Sequence, residues 1–471
     1  MKNIFLIVAL LYSSTHVVAQ NYKLDFKVEG LADTTVYLGN YFGESTYLKD
    51  TAQVNSNGEF TFDGNKELES GMYFLVLNKT RLFDFLVDKN KHFKITTSTE
   101  DYIYNLNVEG DISNKLFIDD MIFNAERNKE ASPFVQVVQD SLSTEQEVKE
   151  AKAALDKIND KVLAHQDKII KEHPDLLISK IFLANRRADI PDTPEDEDPT
   201  EFGYQYLKKN YWNNFNLGDP AMLRLGRPIY KEKVENYFNR LIIPQPDSII
   251  KQVNLLAKEA KVTQDTYKYF IWTVTLLYQN PTIMGLDRVF VEMIDTYFES
   301  GEMDFWANSQ LKKNLKERAD QLRLSLIGNK AANMVMMDKD KQMKSLYAIP
   351  NKYTVIYFFD PDCGHCKKET PVLADFYSST KYDVEVFAVS ADTSIVKMEN
   401  YINKMGMKWI TVNGPRTATG SYHDSYDANT TPTIYVLDEK KKIIAKKIPA
   451  ARLEDFLTQY EKFHVESENE Q

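Results

Sequence analysis

The chain has 471 residues, of which 43% are hydrophobic and 27% are charged, an ordinary globular composition with enough apolar residues for sizeable cores. Its 69 acidic residues outnumber its 58 lysines and arginines. The resulting net charge of −11 argues against nucleic acid or an anionic membrane surface as a partner, and the length predicts about three domains.

Residues 1–20 have the pattern of a secretory signal peptide. Lys2 is followed by an apolar stretch over residues 4–12 and by small residues at 17–19 that form a cleavage site. Neither this stretch nor any later one is long and apolar enough to span a bilayer, and no cysteine follows the cleavage region to carry a lipid. We therefore expect an exported, periplasmic protein, with an uncleaved anchor as the alternative.

Residues 21–110 have the period of β-strands. Hydrophobic residues at positions 22, 24, 26 and 28 alternate with charged ones, which predicts a half-buried strand. Several short strands at this spacing predict an antiparallel β-sandwich or a small barrel, which we interpret as a packing or interaction module. The further strands are expected around residues 36–38, 60–62, 72–77, 83–87 and 93–95.

From about residue 111 to residue 326 the hydrophobic period changes to that of helices, which predicts an all-α domain. An acidic segment between prolines, residues 191–199, interrupts this region. Calcium could bind such a segment, but an EF-hand loop needs spaced oxygen ligands and a sharp glycine turn, which are absent. We interpret the segment as a solvated loop and expect no metal site.

Residues 327–471 alternate between predicted strands and helices, which favours an α/β sheet with parallel strands. The strand at residues 353–359 is a run of apolar and β-branched residues that ends at Asp360 and Pro361. The other strands are predicted at 334–337, 384–390, 409–412, 433–437 and 443–447, and the helices at about 367–379, 395–404 and 451–463.

Cys363 and Cys366 are the only two cysteines, and they follow this strand with Gly364 and His365 between them. Two intervening residues on the first turn of a helix place the sulfurs close enough to form and break a disulfide without moving the backbone. The free N–H groups at the start of the helix favour a thiolate, which makes Cys363 the expected nucleophile. A positive charge on His365 would favour the thiolate further and make the disulfide more oxidising.

Two other interpretations of the cysteine pair, a zinc site and a static disulfide, fit the sequence less well. A closed zinc site needs four ligands, but there is no second cysteine pair and the histidines are scattered. A static disulfide is compatible with an exported protein, although one that closes so small a loop would add little stability. The pattern therefore favours a redox site without a metal or other cofactor.

The sequence Cys363-Gly-His-Cys366 followed by Lys-Lys-Glu369, with Thr431-Pro432 some 65 residues later, resembles the thioredoxin superfamily and, within it, the TlpA/ResA-like exported thiol-disulfide oxidoreductases. This resemblance implies a C-terminal thioredoxin fold. The two preceding regions resemble the β-rich (DUF4369-like) and helical (DUF5106-like) domains that accompany such domains in some exported bacterial proteins, which implies no defined activity for them.

The resemblance also implies roles for single residues. Pro432 matches the cis-proline that faces the cysteines, and Thr431 would offer backbone groups to an extended substrate. Glu369 matches an acid that helps to tune the thiols, with an exposed helix residue as the alternative. The buried acid of thioredoxin is replaced here by Tyr357, so deprotonation of Cys366 must rely on water, Glu369 or another group.

The expected function is thiol-disulfide exchange with protein thiols and disulfides, in either direction, with a membrane electron-transfer partner among the expected partners. A peroxiredoxin-like peroxidase is the enzymatic alternative. A non-catalytic scaffold with a vestigial thioredoxin fold is the alternative from another class, although such a protein would not need Cys363, His365 and Pro432 together.

Overall fold

The computed structural model describes residues 21–186 and 188–469, with side chains as far as residue 463. The predicted signal peptide, residues 1–20, lies outside these residues. The described residues form two compact units, one made of residues 21–234 with 259–267, and the other of 235–258 with 268–469. Secondary structure changes from strands to helices near residue 110 and back near residue 326, as predicted, while the domain boundaries themselves stay a prediction.

The N-terminal region consists of two four-stranded sheets that enclose one hydrophobic core, so the predicted β-sandwich is confirmed and neither sheet closes into a barrel. All neighbouring strands are antiparallel except β1 and β7, which pair in parallel. The sheets have the orders β4-β1-β7-β8 and β3-β2-β5-β6. The strands are β1 Tyr22–Glu29, β2 Thr35–Phe42, β3 Ser45–Gln53, β4 Glu59–Gly64, β5 Gly71–Leu77, β6 Thr80–Val87, β7 His92–Ser98 and β8 Asn107–Glu109.

The middle region is helical, as predicted. Helix α2 begins with a capping box, in which the Thr144 hydroxyl accepts from the Glu147 N–H while the Glu147 carboxylate accepts from the Thr144 N–H. Within residues 21–186 and 188–469, no helix is both long enough and apolar enough to cross a membrane. The helices are α1 Ile112–Gln139, α2 Glu145–Glu172, α3 Leu177–Asn185, α4 Pro199–Asn210, α5 Ile229–Arg240, α6 Pro246–Ala260, α7 Gln264–Gln279, α8 Asp287–Met293 and α9 Ser309–Leu324.

The C-terminal region contains a five-stranded sheet of order β13-β12-β11-β16-β17, flanked by helices. The expectation of parallel strands is wrong for β16 and β17, which run antiparallel to their neighbours. The turn of residues 438–442 explains one case, because so short a connection joins only antiparallel strands. The elements are β9 Val335–Met337, β10 Met343–Ser345, β11 Tyr353–Phe359, α10 Gly364–Ser379, β12 Val384–Ser390, α11 Ile395–Met405, β13 Ile410–Asn413, β14 Arg416–Thr417, β15 Gly420–Ser421, β16 Thr433–Leu437, β17 Ile443–Lys446 and α12 Leu453–Asn469.

Strand β11 lies at the centre of this sheet, and all seven of its residues are buried. Tyr357 and Phe359 contact the core on one face of the sheet, whereas Ile356 and Phe358 contact the core on the other. A strand buried on both faces reads as a continuous apolar run, which is what the sequence contains. Its rigid end at Phe359 therefore holds the cysteine segment in place.

Candidate redox site

The first cysteine lies where a loop enters helix α10. Strand β11 ends at Phe359, and the Asp360 carbonyl accepts from the Cys363 N–H at 3.1 Å. Cys363 is the N-cap of the helix, with extended backbone angles, and its sulfur accepts from the Cys366 N–H at 3.4 Å. The sulfur thus takes the place of the side-chain oxygen that usually caps a helix, and it satisfies an N–H group that has no partner within the helix.

The thiol of Cys363 is half-buried and has a lowered pKa. Burial by itself raises this pKa, but hydrogen bonds from the backbone N–H groups of Cys366 and His365 outweigh burial and hold it below its usual value. An accessible thiol with a lowered pKa is the kind of group that acts as a nucleophile. The structure therefore supports the predicted role of Cys363 on electrostatic grounds.

The second thiol has the opposite environment. Cys366 is completely buried, and its sulfur accepts from the Asp360 N–H at 3.5 Å. Burial raises the pKa of Cys366 to about 11. Both thiols are free in the structure. The pair therefore combines one reactive thiol at the surface with one protected thiol below it.

We expect iodoacetamide to modify Cys363 with a pH midpoint below that of an ordinary cysteine, and Cys366 with a midpoint near pH 11. The rate of alkylation follows the thiolate fraction, so a lowered pKa moves the rise in rate to lower pH. Timed alkylation of the reduced protein between about pH 5 and pH 12, read by fragmentation mass spectrometry, measures the midpoint at each cysteine. Equal midpoints would contradict the assigned roles.

Gly364 and His365 lie between the cysteines at the exposed start of α10. A Cβ atom added at Gly364 would meet nothing within 4 Å, so the fold does not require glycine there. The His365 side chain is exposed, and its backbone N–H contributes to the thiolate environment of Cys363. The predicted stabilisation of the Cys363 thiolate by the His365 imidazole stays a prediction.

Thr431 and Pro432 approach the reactive cysteine from strand β16. The Thr431–Pro432 peptide bond is cis, and the Cys363 thiol lies 3.4 Å from the Thr431 carbonyl oxygen. The structure therefore brings together two segments 68 residues apart in the chain. A pocket of about 270 Å³ opens beside Pro432 and is lined by Glu369, Thr430, Pro432, Thr433, Ile434, Lys447, Ile448 and Pro449.

Glu369 is half-buried on α10 and lines this pocket. It accepts from the Ala450 N–H at 2.5 Å, which ties α10 to the turn before α12. Tuning of the thiols by Glu369 therefore stays a prediction, and its described hydrogen bond is structural.

A buried network of three hydroxyl groups lies below the cysteines. Tyr357 and Tyr401 each place their hydroxyl 2.8 Å from the Thr370 hydroxyl oxygen, which donates to the Cys366 carbonyl at 2.8 Å. Because Thr370 has one proton to donate, both phenols donate to it. Burial raises the pKa of both tyrosines, so near neutral pH neither accepts the Cys366 proton.

A small charged group at the rim of the site was not anticipated from the sequence. Lys397, in the first turn of α11, lies 2.8 Å from Asp362 and 2.8 Å from Asp392. Asp362 directly precedes Cys363, so this cation links α11 to the cysteine loop. The sequence does not predict this group, because Asp362 is far along the chain from Asp392 and Lys397 and all three resemble ordinary surface charges.

Comparison with known families agrees with this geometry. A family model described as thioredoxin-like matches residues 351–443, which include both cysteines and Pro432. Residues 351–443 are therefore a thioredoxin-like domain. Two domains of unknown function precede the thioredoxin-like domain, DUF4369 at residues 22–117 and DUF5106 at residues 139–320, so the predicted domain types are confirmed.

Several known proteins are similar to parts of this chain. Thiol-disulfide oxidoreductase ResA of Bacillus thuringiensis is 26% identical over 26% of this chain and 69% of its own length, and ResA of Bacillus subtilis is 25% identical over 28% and 73%. A thioredoxin-like protein from Bacteroides caccae is 18% identical, with a TM-score of 0.46, over 58% of this chain and 98% of its own. A domain of a possible thiol-disulfide isomerase from Cytophaga hutchinsonii is 34% identical over 30% and 96%, with a TM-score of 0.28.

Proposed function

We propose that the protein is an exported oxidoreductase that exchanges disulfides with protein substrates through Cys363 and Cys366. The observation that carries the proposal is the contrast between the two thiols. Cys363 is accessible and has a lowered pKa at the start of a helix, whereas Cys366 is buried and has a raised one. This is the division of labour that a nucleophilic and a resolving cysteine require.

The reaction proceeds in two displacements. The Cys363 thiolate attacks one sulfur of a substrate disulfide, which forms a mixed disulfide and releases the other sulfur as a thiolate that takes a proton from water. Cys366 then loses its proton to a base and attacks the Cys363 sulfur, which forms the Cys363–Cys366 disulfide and releases the second substrate thiolate. Two electrons pass from the protein to the substrate, and the reverse steps oxidise a substrate dithiol.

Each neighbouring group has a defined place in these steps. The Cys366 and His365 N–H groups favour the attacking thiolate, and they favour it again when Cys363 is the leaving group in the second displacement. The Thr431 carbonyl lies beside the sulfur, where the backbone of an extended substrate would pair with the loop. The nearby phenols are protonated, so the Cys366 proton passes to water, to Glu369 or to another group.

Reduction of insulin with dithiothreitol as the electron donor tests the exchange reaction. We expect the wild-type protein to accelerate precipitation of the insulin B chain, because the dithiol passes electrons to a protein disulfide. No acceleration, together with rapid consumption of hydrogen peroxide, would instead indicate a peroxidase. If neither reaction were accelerated, the scaffold alternative would be favoured.

The reduction potential of the cysteine pair tests the direction. Counting alkylated thiols after equilibration in graded glutathione buffers gives this potential. A value near about −270 mV would indicate a reductant supplied by a membrane electron-transfer partner, and a value of about −180 to −120 mV an oxidase or isomerase.

A further inference from the structure

The segment that leads into Thr431 contains little regular structure, but Tyr422 and residues 426–428 in it are buried. Residues 422–424 form a short 3-10 turn, and no strand or helix follows before Thr433. Tyr422 and Tyr426 pack against Phe358 of the central strand. The position of the loop beside Cys363 therefore depends on side-chain contacts made by residues 422–429, which we call the approach segment.

The strongest polar contact of the approach segment comes from helix α9. Arg318 donates two hydrogen bonds to the carboxylate of Asp427, at 2.7 and 3.2 Å, in the forked geometry that a guanidinium makes with a carboxylate. The side chain of Asp427 is 5% exposed and also accepts from Lys447 at 2.5 Å. Burial raises the pKa of Asp427, but the hydrogen bonds from Arg318 and Lys447 outweigh burial and keep it below the usual value.

A second contact comes from the next residue on the same face of the helix. Gln321, three positions after Arg318, donates to the His423 carbonyl at 3.0 Å and to the Asn429 side chain at 3.4 Å. Arg318 and Gln321 therefore hold the beginning, the middle and the end of the approach segment. Lys316 of the same helix is exposed and pairs with Asp320 and Glu299 instead.

These contacts come from outside the thioredoxin-like match. The match begins at residue 351, whereas the match to the helical domain of unknown function ends at residue 320. Arg318 is separated from Asp427 by 109 residues along the chain. A thioredoxin-like domain cut out of this chain at the predicted boundary would therefore lack both side chains.

We propose that helix α9 is a positioning element for disulfide exchange, which holds the approach segment through Arg318 and Gln321 and thereby places the Thr431 backbone beside Cys363. A protein substrate that pairs with this backbone requires the loop in place, whereas a small alkylating reagent requires the Cys363 sulfur alone. Loss of Arg318 therefore impairs the binding of protein substrates and leaves the intrinsic reactivity of the thiol almost unchanged. The role in catalysis rests on the proposed exchange reaction.

Kinetics of the full chain test this role. We expect Arg318→Ala to raise the KM for insulin by about tenfold with a smaller change in kcat, because the loop no longer presents its backbone in a fixed position. Arg318→Lys should be intermediate, since lysine keeps the charge but not the fork. Alkylation of Cys363 by iodoacetamide should change less than about twofold. Lys316→Ala, which removes a cation from the exposed side of α9, is the matched control and should behave as wild type.

Hydrogen exchange followed by mass spectrometry provides a readout that does not depend on turnover. Arg318→Ala should accelerate amide exchange in peptides that cover residues 422–431 by about tenfold or more, and leave strand β11 unchanged. Gln321→Ala should have a smaller effect in the same peptides and serves as the second variant if Arg318→Ala does not fold.

The outcomes separate the two proposals. If the wild-type protein does not reduce insulin but the variants accelerate amide hydrogen exchange in the approach segment, the proposed disulfide exchange is wrong. The contacts of α9 would then still hold the approach segment in place. If the wild-type protein reduces insulin and both variants retain its KM for insulin and its rates of amide hydrogen exchange, the positioning role of α9 is overturned. A uniform acceleration of amide hydrogen exchange over the whole C-terminal unit would indicate a general loss of stability and would also overturn the positioning role.

Discussion

Replacing Cys363 by serine should abolish disulfide exchange. A serine hydroxyl is protonated at neutral pH and is a poor nucleophile, whereas the Cys363 thiol has a lowered pKa and is accessible. We expect the rate of insulin reduction to fall by roughly 10³-fold or more, which corresponds to about 4 kcal/mol of lost transition-state stabilisation. Measurement of initial rates over a range of enzyme concentrations determines the effect.

The matched variant Cys366→Ser separates the two steps of the reaction. It keeps the nucleophile but removes the thiol that resolves the mixed disulfide, so substrate proteins should accumulate in covalent complexes with Cys363. These complexes appear as bands of increased mass on non-reducing gels and disappear when a reductant is added. Retention of activity by Cys363→Ser, or trapping by Cys363→Ser instead of Cys366→Ser, would reverse the assignment of the two cysteines.

The centre of the site could be predicted from the sequence because its signals are local. A continuous apolar strand, two cysteines with two residues between them and a following helix occupy consecutive positions, and the structure places the strand at residues 353–359 and the helix from Gly364. Thr431 and Pro432 belong to a distant segment. Only the resemblance to the thioredoxin superfamily connected this segment to Cys363. The strand, the cysteine pair and the helix therefore follow from local sequence patterns, and the Thr431–Pro432 segment follows from the family resemblance.

The supporting residues could not be predicted because their contacts join distant segments. Thr370 and Tyr401 are separated by 31 positions, and nothing in their neighbourhoods distinguishes them from ordinary buried polar residues. Strand β3 was missed for another reason, since most of its residues are exposed and it lacks an alternating hydrophobic pattern. Edge strands of this kind are defined by their partner, here β2, and not by their own sequence.

The redox tendency of the site depends more on the backbone than on His365. The N–H groups of Cys366 and His365 lower the pKa of the half-buried Cys363 thiol at the start of α10. The His365 side chain is exposed, where water screens its charge. A lowered pKa at Cys363 stabilises the reduced form and makes the disulfide more oxidising, so the backbone is the stronger reason for expecting an oxidising pair.

Removing one partner of the Lys446–Asp287 ion pair should destabilise the C-terminal unit by about 3–5 kcal/mol. The Lys446 ammonium donates to the Asp287 carboxylate and to the Ser325 carbonyl, at 2.8 Å for the latter, and the two charged side chains are only 4% and 7% exposed. Burial lowers the pKa of Lys446 more than Asp287 raises it. The charge left by Asp287→Ala or Lys446→Met would therefore be buried without its direct counter-charge.

The double variant Asp287→Leu/Lys446→Met should recover most of the lost free energy of unfolding, because two apolar side chains of similar size carry no desolvation penalty. The exposed pair Arg288–Asp247, at 2.7 Å with side chains 49% and 79% exposed, is the control, and Asp247→Ala should cost about 1 kcal/mol or less. Urea denaturation followed by tryptophan fluorescence compares the midpoints. Equal losses for the buried and the exposed pair, or a double variant as unstable as the sum of its single changes, would show that burial does not govern this ion pair.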